Sequence, residues 1–387
     1  VSQQQHHSGV KKVLVSGGGT GGHIFPALAI ANALGARDPK IQFLFVGAEG
    51  RMEMEKVPQA GYEIVGLPVA GFQRRLTAVN LLFPFRLLAS LWKARGVVKQ
   101  FKPDLAIGTG GYASGPVLLV AQRMGIPTLI QEQNSYPGVT NRLLARRADR
   151  ICSAFADMEA WFPPQRTVHT GNPVREAIAN NRCSREEGIA EFGLDPDRQT
   201  LFITGGSLGA RVINDAIDAG LPALLESGLQ IIWQTGKVYK AAYASRESAH
   251  VKVLDFVARM DAAYAAADAI VSRAGGTIAE LCIAGKSCIL LPSPNVAEDH
   301  QTKNVQALVE QDAAILIADA AAATDLVPTI LALMADAPRR EKLGQAIQSL
   351  ALPHATEHIA DEAMTLLGGS PAAIAGTPVR HPKNPNA

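Results

Sequence analysis

The residues best suited to chemistry are Gly17-Gly18-Gly19-Thr20-Gly21-Gly22 and the His23 that follows at once. Glycines let a backbone approach a ligand closely. A helix starting behind them turns unsatisfied N–H groups and a positive dipole end toward an anion. His23 ends the run, so its imidazole is expected to enter the same space as a general base; orienting the loop or binding substrate is the alternative role for that ring. Two similar turns follow, Gly110-Gly111-Tyr112-Ala113-Ser114 and Gly205-Gly206-Ser207-Leu208-Gly209. The first run satisfies G-x-G-x-x-G through Gly17, Gly19 and Gly22. A dinucleotide site also wants an acidic residue after the second strand. Here that strand ends at Val46-Gly47 and Glu49 comes later than the usual offset, which argues against a nicotinamide cofactor.

Such loops need strands to hold them. Val13-Leu14-Val15, Phe43-Leu44-Phe45-Val46, Leu105-Ala106-Ile107 and Thr128-Leu129-Ile130 are short apolar runs, each followed by glycine or a helical stretch. The pattern restarts at Leu201-Phe202-Ile203-Thr204. It continues through Ile231-Ile232-Trp233, Val251-Lys252-Val253-Leu254, Ala269-Ile270-Val271 and Cys288-Ile289-Leu290-Leu291. Repeated strand–loop–helix units predict an α/β fold with parallel sheets covered on both faces. Two Rossmann-like domains are expected, residues 11–173 and 174–367, joined near the turn Gly171-Asn172-Pro173-Val174, with 368–387 a disordered Pro/Gly/Ala-rich tail. Ligands of such sheets bind at the carboxyl ends of strands, so loops from both domains should line one cleft.

The 387 residues are 47% hydrophobic and 19% charged, which suits globular domains with full cores. No run reaches the roughly 18 apolar residues of a spanning helix, and residues 1–10 lack the apolar run of a signal peptide, so a cytosolic protein is expected. Cys152, Cys183, Cys282 and Cys288 form no C-x-x-C pair and read as buried thiols. No metal site is expected. The D-x-D motif Asp195-Pro196-Asp197 sits in a proline turn, and His6-His7 is terminal and isolated. The net charge of +2 conceals an asymmetry: residues 1–174 carry 19 Lys+Arg against 10 Asp+Glu, the remainder 18 against 25. The first half therefore should face something anionic, nucleic acid or membrane. Its basic residues lie among aliphatic side chains rather than spaced aromatics, which disfavours nucleic acid. Residues 72–95 combine Leu82, Phe83, Phe85 and Trp92 with Arg74, Arg75 and Arg86, the composition of a segment that lies on an anionic membrane surface. The competing reading is a helix that buries its apolar side in the core.

Several motifs in order are more specific than any one. They are Gly17 through Ala27, Gly110-Gly111-Tyr112-Ala113-Ser114-Gly115-Pro116, Gln131-Glu132-Gln133-Asn134, Gly171-Asn172-Pro173-Val174-Arg175, Gly205-Gly206-Ser207, Ser272 through Glu280, and Asp299-His300-Gln301-Thr302-Lys303-Asn304. Together they resemble the MurG family of glycosyltransferases. The resemblance implies a GT-B fold, two facing Rossmann-like domains with a cleft between them. It implies inverting transfer of GlcNAc from UDP-GlcNAc to the 4-hydroxyl of MurNAc in undecaprenyl-pyrophosphoryl-MurNAc-pentapeptide (lipid I). The product would be lipid II for peptidoglycan, made without a cofactor at the cytoplasmic face of the membrane.

By the same resemblance, Thr20, Gly21, Gly22 and Asn134 face the donor sugar, and Gly110, Gly111 and Tyr112 form the acceptor loop. Arg175 and Ser207 contact the diphosphate, and Val257 lies against uracil. Gly276 and Thr277 cap a phosphate, Glu280 holds the ribose hydroxyls, and His300 and Gln301 reach the GlcNAc. Two departures stand out. Leu208 replaces a glutamine that some members carry, and Arg273 to Glu280 is one residue shorter than the family pattern. That deletion turns the helix start by about 100°. Rival readings are another GT-B enzyme of UDP-sugars (a glycolipid synthase or an epimerase), a nucleotide-dependent oxidoreductase, and a non-catalytic nucleotide-binding module.

Overall fold

The computed structural model describes residues 10–69, 83–180, 182–206, 208–296 and 299–368. Seven strands form the first sheet: β1 (Lys12–Ser16), β2 (Gln42–Ala48), β3 (Ile64–Leu67), β4 (Leu105–Gly108), β5 (Thr128–Glu132), β6 (Arg150–Ser153) and β7 (Thr167–His169), in the order β3-β2-β1-β4-β5-β6-β7. Six form the second: β8 (Thr200–Thr204), β9 (Gln230–Gln234), β10 (Val251–Leu254), β11 (Ala269–Ser272), β12 (Ser287–Leu290) and β13 (Ile315–Leu316), in the order β10-β9-β8-β11-β12-β13. All pairings are parallel.

The uninterrupted apolar strands follow from burial on both faces. In β1, Val13 and Val15 join one core and Leu14 the other; in β8, Leu201 and Ile203 join one and Phe202 the other. Period-2 geometry sends neighbours to opposite faces, and each face is covered by helices.

Strand order reverses at β1/β4 in the first sheet and at β8/β11 in the second. There the register pairs Ser16 with Gly108 and Thr204 with Ser272. Both switch points therefore carry glycine loops on two adjacent strand ends, where the crossovers diverge and leave a crevice.

The closing helix Ala355–Leu366 was expected with the second domain. It packs instead on the first, where Ile359, Ala360 and Ala363 share a core with Ile24, Ala27 and Ile30 of the helix Gly21–Arg37. Arg37–Asp361 at 2.8 Å and Arg150–Glu362 at 2.7 Å border it. The sequence shows the helix's apolar face but not which core it fills. The tail expected after residue 368 lies outside the described residues. Of the cysteines, Cys152, Cys282 and Cys288 are buried, whereas Cys183 is only half-buried.

The chain passes between the domains twice, and the two passages touch. Gly171 has φ +91°, and a Cβ there would lie 2.7 Å from Leu352 Cβ and 3.0 Å from Ala355 Cβ. Gly171→Ala should therefore cost more than the ~1–2 kcal/mol of left-handed strain alone. Gly125→Ala is the control, at φ +73° with open space around it. Denaturant unfolding should place G171A below G125A; equal losses would show that the crossing tolerates a methyl group.

Candidate active site

The loops after β1 and β4 interlock. Gly110 and Gly111 have φ +97° and +86°, and a Cβ on Gly111 would lie 2.2 Å from the Gly18 carbonyl oxygen. Only glycine permits that approach. Glu53, fully buried, ties the first loop to β2 by accepting the N–H groups of Gly19 and Ala48, each at 2.9 Å.

His23 is held within this frame. Its Nδ1 is 2.9 Å from the carbonyl oxygen of Thr109, and Thr109 Oγ1 donates to the His23 carbonyl at 2.7 Å. A carbonyl can only accept, so Nδ1 carries the proton and Nε2 keeps its lone pair. Burial pushes the imidazole below the ordinary histidine value of 6.5. The Thr109 carbonyl, Gln133 and the Glu53 charge oppose that shift, and His300 reinforces it. The ring is therefore neutral at pH 7.

Gln131 to Asn134 continue from β5 into the cleft. Glu132, almost wholly buried, accepts from Asn134 N and Nδ2 (3.0 Å each), Asn141 Nδ2 (2.9 Å) and Gly138 N (3.2 Å). Burial raises its pKa and these donors counter the rise. The second domain closes on this segment. Asn304 Oδ1 accepts from Ser135 N (2.9 Å) and Oγ (3.0 Å), while its Nδ2 donates to Asn134 Oδ1 (3.2 Å). Lys303 Nζ stands 3.1 Å over the Tyr136 ring.

On the opposite wall, Gly275 and Gly276 lead into the helix Thr277–Ala284, whose Gly276 cap has no side-chain acceptor for the first N–H groups. A Cβ on Gly276 would lie 3.9 Å from Gly22 Cα. Two helix N-termini thus meet across the cleft, Gly21-Gly22 from one domain and Gly276-Thr277 from the other, a suitable seat for an anion. Glu280 accepts from Arg175 Nε (3.2 Å) and Nη2 (3.1 Å) and from the Tyr264 hydroxyl (2.9 Å).

Comparison with known proteins now decides the family. The glycosyltransferase family 28 N-terminal domain matches residues 13–153, and the family 28 C-terminal domain matches residues 200–359. This chain belongs to glycosyltransferase family 28. It is 52% identical over 362 residues to a protein of Bacteroides fragilis, covering 92% of this chain and 95% of that one. That relative is named UDP-N-acetylglucosamine--N-acetylmuramyl-(pentapeptide) pyrophosphoryl-undecaprenol N-acetylglucosamine transferase. A protein of the same name from Flavobacterium psychrophilum is 51% identical over 360 residues, covering 92% and 98%. The crystal structure of Acinetobacter baumannii MurG superposes with a TM-score of 0.74 at 30% identity, covering 92% of this chain and 99% of that one. A UDP-GlcNAc 2-epimerase from Neisseria meningitidis shares the fold at 14% identity and TM-score 0.65, covering 92% and 100%. The GT-B architecture expected from the sequence is the one found.

Within this family 28 site the sequence-predicted residues distribute unevenly. Gly22 and Gly276 meet between the two domains, as do Asn134 and Asn304, while Gly110 and Gly111 pack on His23 and Gly18 of their own domain. Tyr112 is about half exposed beside them. Gln301 holds the Ser293 N–H through Oε1 at 2.8 Å, and its Nε2 lies 3.7 Å from a Cβ built on Gly275. His300 begins the helix His300–Val309, close enough for its charge to act on His23. Val257 packs its side chain into the core at 1% exposure, with its N–H bonded to Gln234 Oε1 at 3.0 Å. Its neighbour Phe256 is the exposed ring. Ser207 lies outside the described residues, as do Arg74, Arg75 and Leu82, while Phe83 is described by backbone only. Arg273, first residue of the shortened stretch, points away to the Leu291 and Pro292 carbonyls and Asp319.

Sequence reasoning assigned no role to Glu53, Thr109, Tyr264 or Asn304. Polar residues at the ends of apolar strands were the available signal for Thr109; Glu53 sits in a charged stretch that reads as solvated.

Asn304 joins the domains through three hydrogen bonds to Ser135 and Asn134. Asn304→Ala leaves the Ser135 N–H without its acceptor, a cost of about 1–3 kcal/mol. Spin labels placed on the two domains should report a longer and broader distance distribution in that variant. An unchanged distribution would mean that the crossing segments, not Asn304, set the closure.

Proposed function

We propose that this chain transfers GlcNAc from UDP-GlcNAc to the 4-hydroxyl of MurNAc in undecaprenyl-pyrophosphoryl-MurNAc-pentapeptide, releasing UDP and forming lipid II. The observation that carries this reading is identity of about half, over 92% of the chain, to transferases bearing that name. The epimerase likeness extends to fold alone, and the rival UDP-sugar readings are not favoured.

The geometry supports a metal-free displacement. His23 Nε2 takes the proton of the acceptor hydroxyl as its oxygen bonds to the anomeric carbon. The bond from that carbon to the diphosphate oxygen breaks on the opposite face, and the electron pair departs with UDP. Negative charge growing on the diphosphate meets the N–H groups of the two helix starts and the Arg175 guanidinium. Such preorganised donors act where charge develops. Glu280 is placed to take the ribose hydroxyls, with Tyr264 fixing its carboxylate. Asn134, His300 and Gln301 surround the position proposed for the sugar, and Ser207 belongs to the diphosphate side. Transfer to a lipid I analogue should persist with EDTA and stop without UDP-GlcNAc; loss with chelator would overturn the metal-free reading.

The base assignment has a pH signature. His23 must be neutral to work, and its pKa is lowered. Activity should therefore hold as pH falls past 6.5 and be lost only as pH drops through the depressed value. His23→Ala should lower kcat by about 10²–10⁴ and remove that acid limb. A limb that survives in H23A assigns the base elsewhere.

The acceptor's lipid stays in its bilayer, so the enzyme must meet a membrane surface. Among the described residues no single helix is long and apolar enough to cross one. The helix Phe83–Phe101 is apolar on two sides. Ala94 and Val98 are buried in the core, while Phe85, Leu88 and Trp92, spaced three and four apart, are 70%, 63% and 84% exposed. Arg86 and Arg95 are exposed on the same helix, and Val139 and Leu143 are exposed apolar residues of the helix Val139–Ala145. Core packing accounts for one side and leaves the other as a peripheral membrane contact at the cytoplasmic face. Replacing Phe85, Leu88 and Trp92 together by Ser should abolish binding to anionic vesicles and spare transfer to a water-soluble acceptor. Retained vesicle binding would exclude this surface.

A further inference from the structure

We propose that Gln133 is a positioning residue for His23. It clamps the Thr109 carbonyl that selects the imidazole tautomer, and an amide relay through Gln131 and Asn172 fastens that clamp to the donor-side helix start. The inference rests on the reading of His23 as the base.

Gln133 is 6% exposed, and both hydrogens of its amide are committed. Nε2 donates to Thr109 O at 2.5 Å and to Gln131 Oε1 at 2.5 Å. Gln131 Nε2 donates to Asn172 Oδ1 at 3.0 Å, and Asn172 Nδ2 donates to the Gly276 carbonyl at 3.4 Å. Gln133 donates both to the Thr109 carbonyl and to Gln131, and from Gln131 onward each amide donates toward the second domain. Reversing one amide would set two acceptors or two donors face to face, so the series is self-consistent only as it stands.

The Thr109 carbonyl receives two donors, Gln133 Nε2 and His23 Nδ1. With the carbonyl fixed by the first, the imidazole must present N–H to it. The other tautomer would aim the Nδ1 lone pair at the carbonyl oxygen. Nε2 is thereby kept as the lone-pair nitrogen. Among the described residues no carboxylate is hydrogen-bonded to this ring. Glu53, from the helix Glu53–Gln59, and His300, from the helix His300–Val309, are the charged and titratable groups that act on it, in opposite senses. The task a carboxylate performs in a catalytic triad is done here by a main-chain carbonyl and the amide that holds it.

Gln133→Met keeps the length and removes both donors. The direct readout is ¹⁵N NMR of the His23 ring, assigned with His23→Gln. The wild type should show one Nδ1-protonated tautomer, and Q133M a mixture with the Nε2-protonated form. kcat should fall about tenfold or more, bounded by the ~10⁴ loss seen when a catalytic histidine is held in the wrong tautomer, while KM for UDP-GlcNAc stays within about twofold. Should Q133M not fold, Gln133→Asn keeps an amide but withdraws it from Thr109, and the same readouts apply. An unchanged tautomer overturns the proposal whatever happens to kcat. Full transfer by His23→Gln would overturn the base assignment instead, leaving the tautomer result to judge Gln133 alone.

Discussion

The close approach of two main-chain loops, Gly18 against Gly111, is the constraint on which the rest of the site depends. Parallel strands β1 and β4 end side by side, and their crossovers leave in opposite directions. The loops between them can touch only if neither carries a side chain at the contact. Once they touch, the Thr109 carbonyl is delivered beside His23, and the helix start at Gly21 and Gly22 is exposed to the second domain. Any Cβ at Gly111 would push the loop after β4 off the Gly18 carbonyl and move the carbonyl that holds the imidazole.

The polar groups of the site are stabilised by the same frame. Buried carboxylates are costly unless several donors converge on them. Glu53 and Glu132 each meet that condition, with two and four donors respectively. Between the domains, besides Lys303 over the Tyr136 ring, the contacts are made by neutral amides: Asn172 of the first reaches the Gly276 carbonyl, and Asn304 of the second meets Asn134 and Ser135. Amide bonds between domains carry no net charge to desolvate, so the two halves can part and rejoin at a smaller cost than a buried ion pair would impose.

Much of this was legible in the sequence. The apolar runs at 13–15, 43–46, 105–107, 128–130 and 201–204 all became strands, because buried parallel strands require unbroken apolar sequence. The edge strands β3, β7 and β13 were not singled out, being short and mostly half-buried, and neither was the buried β6, whose Arg150-Ile151-Cys152-Ser153 has only two apolar residues. The glycine loops were visible because glycine has few other reasons to cluster after a strand. Glu53 and Tyr264 were not, since nothing local distinguishes a charge or hydroxyl that a distant segment will cover. The closing helix failed for the same reason: periodicity gives a helix its apolar face and leaves its partner unspecified.

Arg175 and Glu280 show why a shortened loop need not disable the donor side. Each neutralises the other, with side-chain exposures of 42% and 13%. An ion pair that open to water is worth about 0–1 kcal/mol, so exchanging it for new partners costs little. In the proposed reading the diphosphate takes the guanidinium and the ribose takes the carboxylate. Tyr264, itself 1% exposed, stays bonded to Glu280 while Arg175 turns away. Glu280 is therefore located by a hydroxyl rooted in the core rather than by the length of the 273–280 loop. A helix start rotated by one residue changes which N–H groups face the phosphate, but it leaves the carboxylate fixed by a contact that does not depend on the loop.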